Sequence, residues 1–261
     1  MTTQPQTWHY GLVADWWAEF NTDGPEIEYF GRFVAAGQPA LDAGCGTGRL
    51  LVPWLQAGYD VDGADVSSDM IERARTRSRA EGFDPTLLVQ PLHALAPPRR
   101  YRTIVVCGVF GIGTTRKQDE EALRRLHDCL EPGGTLLLDK ELPWSSSRWR
   151  FWRDRSELPQ PWPDNPSPRR ASDGSEMVLR VRTLDLDPLD QRVTYELHAQ
   201  RLRDGTAVDE ETYELTERYY FPRELQLMLE RAGFSGVEIR AGHEDRPLGP
   251  EDGFVVYLAR A

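Results

Sequence analysis

Cysteine is scarce in this chain. The three present, Cys45, Cys107 and Cys129, fall into no Cys-x-x-Cys pattern, which excludes a paired-thiolate metal centre or a dithiol redox motif. Each lies in or beside an apolar run, so each is expected to be a buried, reduced thiol and the chain to be cytoplasmic. Positive charge is also in deficit. The 31 Lys and Arg against 42 Asp and Glu leave a net charge of −11, and a chain this acidic lacks the electrostatic footprint for gripping a nucleic-acid backbone. Long apolar runs are missing too. None approaches the roughly 20 residues that a membrane span needs, so no membrane partner is expected. The polar residues 1–8 have no apolar centre and do not read as a secretory signal.

What remains is 261 residues with 39% hydrophobic and 28% charged side chains, enough for one large α/β domain or one domain with an insertion. Tyr10, Leu12, Val13, Trp16, Trp17 and Phe20 recur at three- and four-residue steps and predict a helix. After a break at 21–25, residues 26–36 repeat the pattern. From residue 39 strands and helices alternate. Strands are expected at 40–43, 59–65, 86–89, 102–107 and 135–139. Helices are expected at 48–57, where Pro53 should kink the chain, at 70–81 and at 118–130, with a turn at 131–134. Such alternation implies right-handed parallel βαβ units and a doubly wound sheet, with ligands at the carboxyl ends of its strands. Residues 143–170 hold six prolines and four tryptophans and read as a long loop with a helical piece near 145–153. Period-two patterns at 177–186, 192–202 and 207–219 predict a three-stranded antiparallel insertion. A helix at 222–231 and strands at 236–241 and 254–259 complete a seven-stranded main sheet.

Residues 39–48 read Pro-Ala-Leu-Asp-Ala-Gly-Cys-Gly-Thr-Gly. A strand that breaks into a glycine turn before a helix brings backbone N–H groups and a helix N-terminus to a ligand. Gly44, Gly46 and Gly48 alternate, unlike the Gly-x-Gly-x-x-Gly of dinucleotide sites, although a nicotinamide-dependent oxidoreductase remains an alternative. Asp42 precedes the turn and can accept a hydrogen bond from an ammonium group. Asp65, 23 positions on, ends the second strand, where a carboxylate can hold both hydroxyls of an adenosine ribose.

Asp42-Ala-Gly-Cys-Gly-Thr-Gly48 resembles the first motif of class I S-adenosylmethionine-dependent methyltransferases. Asp65-Val-Ser-Ser-Asp-Met70 resembles their second, and Leu130-Glu-Pro-Gly-Gly-Thr-Leu-Leu-Leu138 the segment entering their fifth strand. The resemblance spans about residues 39–140 and implies a Rossmann-like fold that binds S-adenosylmethionine and releases S-adenosylhomocysteine. It implies that Asp42 and the turn from Gly44 through Cys45 and Gly46 to Gly48 face the methionine part. Asp65 would hold the ribose, Val66 and Met70 would cover the adenine, and Cys107 would lie near the sulfonium. One departure stands out. Pro91 occupies the position where an acid often contacts the adenine amino group, which leaves the Leu92 N–H and His93 as the candidate contacts.

The implied organisation is an N-terminal helical cap at 1–37, a cofactor-binding core at 38–142 and 221–261, and a loop plus antiparallel insertion at 143–220 on the substrate side. That layout resembles small-molecule methyltransferases, including sugar N-methyltransferases. No His–Cys or acidic cluster suggests a metal. The acceptor is expected to be a nitrogen or oxygen of a small molecule, with Tyr10 and Glu141 as candidate catalytic residues. His243, His127 and His198 read as surface or partly exposed histidines. Trp16 and Trp17, and Trp144, Trp149 and Trp152 with Arg148, Arg150 and Arg153, suit either a substrate lid or packing. A non-catalytic binding subunit and an enzyme using the cofactor for another reaction are the alternatives, and monomer and homodimer stay equally open.

Overall fold

The computed structural model describes residues 8–145, 147–164 and 166–261, and the side chains of 147 and 148 are not among the described atoms. The polar N-terminal stretch read for a leader therefore lies almost wholly outside the described residues. Helix α1 (Gly11–Phe20) and helix α2 (Pro25–Ala36) lead into strand β1 (Ala40–Ala43). Alternation follows: α3 (Leu51–Gln56), β2 (Val61–Asp65), α4 (Ser68–Ala80), β3 (Leu87–Val89), β4 (Tyr101–Val106), α5 (Arg116–Asp128) and β5 (Leu130–Glu141). Because α3 begins at Leu51, Pro53 stands in its first turn, where a missing N–H breaks no helical hydrogen bond. The turn at 131–134 lies within β5 as an irregularity: Tyr101 pairs with Leu130, but Thr103 pairs with Thr135.

The loop after β5 carries a 3-10 turn at Ser147–Trp152 in place of a longer helix. Strands β6 (Arg169–Arg170), β7 (Glu176–Asp187), β8 (Arg192–Arg203) and β9 (Thr206–Arg218) then form an antiparallel sheet. Four strands replace the expected three because Arg169 and Arg170 pair with Met177 and Glu176 at its edge. Helix α6 (Pro222–Arg231), β10 (Ser235–Ala241) and β11 (Phe254–Arg260) return the chain to the main sheet.

The main sheet runs β10-β11-β5-β4-β1-β2-β3. Strands β1 to β5 pair in parallel, whereas β11 runs antiparallel to both β5 and β10. The winding reverses between β1 and β4, so their carboxyl ends flank the crevice where such sheets hold ligands. Neighbouring strand residues face opposite sides. Ile104 and Val106 pack with Leu123 and Leu126 of α5, while Val105 packs with Phe30 of α2 and Trp54 of α3. Helix α1 instead packs Leu12 and Val13 on the antiparallel sheet, against Tyr195, Leu197 and Leu215.

Candidate active site

A cavity of about 660 Å3 opens at the carboxyl ends of β1, β2 and β4 and continues beneath the antiparallel sheet. Gly44, Cys45, Gly46, Asp65, Val66, Met70, Leu92, His93, Cys107 and Glu141 all line it. Ten of the residues singled out in the sequence therefore meet in one space. Asp42, Gly48 and Tyr10 do not line it.

The turn after β1 is built on left-handed glycine backbone. Gly44 has φ +95°, and a Cβ there would lie 2.3 Å from Val109. Gly46 has φ +52°, and a Cβ there would enter open space, so its bare backbone leaves room for a ligand. The Gly44 and Cys45 N–H groups both donate to the Ala64 carbonyl, at 2.7 and 2.9 Å, tying the turn to β2. Asp65 spans the gap that follows. Its Oδ2 accepts from the Gly46 N–H at 3.0 Å and its Oδ1 from the Ser67 N–H at 2.8 Å. Burial pushes the Asp65 pKa up, and these backbone donors oppose the shift by stabilising the charged form. Ser67 also caps α4 through the Met70 N–H and donates its hydroxyl to the His9 carbonyl at 2.6 Å, drawing the segment before α1 onto the site.

Asp42 lies beneath the turn, 1% exposed, and its Oδ2 has no hydrogen-bond partner among the described residues. Burial pushes its pKa up to about 7, against the pull of Arg49. A Cβ on Gly48 would lie 3.3 Å from Val52 and 3.6 Å from Ala74, so its bare backbone serves close packing. Tyr10 stands at the start of α1, where burial and the charges of Asp65 and Asp69 raise its pKa. Glu141 accepts from the Ser145 hydroxyl at 2.8 Å. Burial and the neighbouring Asp139 hold the Cys107 thiol well above its ordinary pKa, so it is a protonated wall residue and not a nucleophile. Its Sγ donates to Asp139 Oδ2 at 3.3 Å.

The structure adds residues that the sequence reading passed over. Lys140 is 3% exposed, and its Nζ donates to Glu217 Oε1 at 2.6 Å and to the Phe110 carbonyl at 2.9 Å. Tyr195 lies 3.4 Å from Glu217 Oε2 and 3.0 Å from the Tyr219 hydroxyl. Lys140, Glu217 and Tyr195 all line the cavity. The signal was period two on β9: Tyr213, Leu215 and Glu217 share one face, and two of them are core residues. His9 and Trp17 line the cavity too, with ring centroids 5.3 Å apart and planes within 15° of parallel.

The histidine expectations fare differently. His243 is no surface-loop residue. It meets Phe30 edge-on at 5.3 Å and its Nε2 lies 3.0 Å from Asp139 Oδ2, because the loop after β10 folds back across the sheet end. His127 packs edge-on against Phe234 at 5.1 Å. His198 sits 2.6 Å from the Arg180 guanidinium and does not line the cavity. Trp149 and Trp152 pack on Phe221 and on each other, and Trp144 also meets Phe221, so this group is packing and forms no part of the cavity wall. The Arg148 side chain lies outside the described residues. Trp16 packs on Phe20 below Arg169, leaving Trp17 alone of that pair on the cavity.

Two halves result. One is polar and backbone-lined around Asp65. The other is walled by Ile112, Leu179, Val181, Leu197, Leu215 and Phe254, with the Lys140–Glu217 pair and Glu141 as its charges.

Residues 40–134 match a family described as a methyltransferase domain. Along 96% of its length the chain is 24% identical to 99% of a provisionally named methyltransferase of Geobacillus sp. (strain WCH70). The CcbJ methyltransferase from Streptomyces caelestis superposes with a TM-score of 0.70 at 23% identity, covering 95% of this chain and 96% of that one. A sugar N-methyltransferase from Streptoalloteichus sp. superposes with a TM-score of 0.67 at 19% identity, covering 100% of this chain and 98% of that one. The likeness to these two structures is one of fold.

Proposed function

We propose that this chain, which carries a methyltransferase domain and has the Rossmann-like fold of class I S-adenosylmethionine-dependent methyltransferases, transfers a methyl group from S-adenosylmethionine to a nitrogen or oxygen of a small molecule. The observation that carries this reading is the Asp65 carboxylate, clamped between the glycine turn and the start of α4, in one cavity with an apolar second half. The residues present fit the cofactor. Gly46 leaves open space beside the turn, and Asp42 keeps a buried carboxylate oxygen without a partner beneath it.

In this reading Asp65 accepts the ribose hydroxyls and repels a 2′-phosphate. The turn from Gly44 to Gly46, with Asp42 below and Arg49 on the wall, takes the amino-acid end. Val66 and Met70 cover the adenine. The cofactor supplies an already activated methyl group. The chain's own task is to hold the acceptor lone pair in line and keep water out, an ordering that contributes up to about 7–11 kcal/mol in favourable cases. Residues 143–220 supply the acceptor half, where Leu179, Leu197 and Leu215 hold an apolar body. Glu217, paired with Lys140, and Glu141 meet its polar groups. A hydroxyl acceptor gains from such a base, whereas an amine needs only to be neutral. The fold likeness to a sugar N-methyltransferase makes amino sugars the first acceptors to test. Three cysteines without a disulfide, Cys45 and Cys129 buried and Cys107 on the cavity wall where burial of all three was expected, suit a cytoplasmic setting.

Calorimetric titration with S-adenosylhomocysteine tests the cofactor assignment. Binding is expected in the wild type and about a hundredfold weaker binding in Asp65→Ala, since a charge-assisted two-point contact is lost. Undiminished binding in that variant rejects the assignment, as does stabilisation by a nicotinamide dinucleotide instead. Incubation with methyl-labelled cofactor and a metabolite pool then separates enzyme from binding subunit: reproducible label transfer excludes the latter. Cofactor left unchanged while substrate turns over favours non-methyl chemistry.

A further inference from the structure

We propose that the methyl acceptor is an amine carried on an apolar body, seated with its nitrogen at Glu217 and its body along the antiparallel sheet. The inference rests on the methyl-transfer reading above. Within it, the cavity favours nitrogen over oxygen and an apolar molecule over a sugar.

Period two builds the wall. Leu179 and Val181 of β7, Tyr195 and Leu197 of β8, and Leu215 and Glu217 of β9 stand at alternate positions, and all line the cavity. The register sets Val181 opposite Leu197 and Leu215 opposite Tyr195, so the apolar side chains form one patch. Exposure grades across this half. Val181 and Phe254 are 44% and 46% exposed, whereas Lys140 is 3% exposed. One end is therefore closed and polar, and the other is open and apolar. An amphipathic molecule fits such a space head first.

Glu217 is fixed at the closed end. Ile112, in the loop after β4, forms a β-bridge with it. On either side, the Arg218 N–H donates to the Gly111 carbonyl at 2.9 Å and the Gly113 N–H to the Thr216 carbonyl at 2.8 Å. Lys140 of β5 donates to Glu217 Oε1 at 2.6 Å. The two partners are not equally open: the Glu217 side chain is 18% exposed and that of Lys140 3%. The pair thus presents its carboxylate to the cavity, while the ammonium group also reaches the Phe110 carbonyl at 2.9 Å. A carboxylate there accepts hydrogen bonds and favours a partner that carries or gains positive charge.

Amines and hydroxyls both donate to a carboxylate, and the transfer separates them. The lone pair of a neutral amine forms the N–C bond as the C–S bond breaks. Positive charge passes from sulfur to nitrogen, beside Glu217, and the new ammonium group later loses its proton to water. A hydroxyl has to give up its proton as its bond forms and needs a base. Carboxylates such as Glu217 and Glu141 are weak bases towards so weak an acid. Protonating Glu217 would also leave the buried Lys140 without its counter-charge. The two histidines on the cavity wall do not fill the role. His93 follows β3, at the far edge of the sheet from β5, and burial lowers the His9 pKa to about 4. The body is argued from the wall. Each hydroxyl of a sugar ring loses water against Leu179, Leu197 and Leu215 without gaining a partner from them, whereas an apolar body is stabilised by the same contact.

The test is calorimetric titration of the full chain, saturated with S-adenosylhomocysteine. The probes are a graded series of aryl-alkyl and cycloalkyl-alkyl primary amines, the matching alcohols, and glucosamine. The best apolar amine is expected to bind about tenfold or more tightly than its alcohol and than glucosamine. In Glu217→Gln, which keeps a carbonyl oxygen for Lys140, the preference for amine over alcohol is expected to shrink to within about threefold. Lys140→Met with Glu217→Met removes the whole pair and is expected to erase it too, with S-adenosylhomocysteine binding reporting that each variant is folded. Methyl-labelled cofactor is then expected to place its label on the nitrogen of the amine that binds best. An alcohol that binds as tightly as its amine overturns the proposal. So does glucosamine binding more tightly than every apolar amine, or the absence of amine binding to a chain that holds S-adenosylhomocysteine. A preference that persists in both variants removes Glu217 from the role. Failure of S-adenosylhomocysteine itself to bind refutes the cofactor assignment instead, which keeps the two failures apart.

Discussion

His9, part-buried on the cavity wall, and Asp42, buried beneath the turn, are two ionisable groups whose linkage runs with opposite signs. Burial lowers the His9 pKa to about 4, whereas an unfolded histidine titrates near 6.5. Between those values the unfolded chain binds more protons, so the contribution is complete above pH 6.5 and is lost as pH falls towards 4. Urea denaturation at pH 7 and pH 4.5 is expected to show a loss on the order of 2 kcal/mol beyond that of His9→Phe, which keeps the stack on Trp17. Equal losses in both proteins would show that the ring is solvated. For Asp42, burial raises the pKa to about 7, so the folded chain holds a proton that the unfolded chain releases, and stability falls as pH rises from about 4 to 7. An ammonium group arriving near Asp42 reverses this by favouring the carboxylate. Calorimetry at pH 7 in buffers of different ionisation enthalpy is expected to record proton release on S-adenosylhomocysteine binding, and none in Asp42→Asn. Absence of release in the wild type would put the ammonium elsewhere.

Strand β5 shows at the scale of an element why some of the site was legible and some was not. Its apolar run and period two were readable: Leu136 and Leu138 face α5 and α6, and Leu137 faces α2 and α3. The same parity carries Asp139 towards His243 and Lys140 towards Glu217, at the carboxyl end where the site lies. The glycine turn and Asp65 were legible because local backbone geometry demands those residue types in that order. The partners of Lys140 and Asp139 were not. Glu217 is 77 positions away and His243 is 104 from Asp139, and both contacts come from the return of the antiparallel sheet and the last hairpin, which no local pattern encodes. Lys140 is one of only two lysines in the chain, and its partner Glu217 is mostly buried. Lys140→Met leaves that carboxylate uncompensated and is expected to cost roughly 3 kcal/mol, while Lys140→Met with Glu217→Met recovers most of it. A double-mutant cycle in urea measures the difference, and strictly additive losses would show that the pair is not coupled.

At the scale of the whole molecule, α1 joins the two sheets across the cavity. Asp15 pairs with Arg73 of α4 at 2.5 Å and with Arg201 of β8 at 2.7 Å. The Gly11 N–H donates to Asp69 Oδ2 and the Leu12 N–H to Glu211 Oε2, each at 2.8 Å. Trp8 reaches the Ile112 carbonyl at 3.2 Å from the same segment. Helix α1 thus touches the Asp65 half of the cavity through α4 and its apolar half through β8 and β9, and Trp17 carries it onto the cavity wall. Partly exposed ion pairs are individually weak, about 0.2–1 kcal/mol each, so Asp15→Ala is expected to lower the melting temperature only slightly. Its effect on the ligand-bound form should be larger. A ligand that binds only the folded chain stabilises it by an amount set by its concentration over Kd. If α1 must be seated for S-adenosylhomocysteine to bind tightly, Asp15→Ala weakens binding by about three- to tenfold, although Asp15 itself does not line the cavity. Melting curves with and without S-adenosylhomocysteine check this: the ligand-induced rise should shrink in Asp15→Ala, and limited proteolysis within α1 should be slowed less by the ligand than in the wild type. An unchanged rise with a lowered baseline would assign Asp15 to holding the fold alone, with no coupling between α1 and ligand binding.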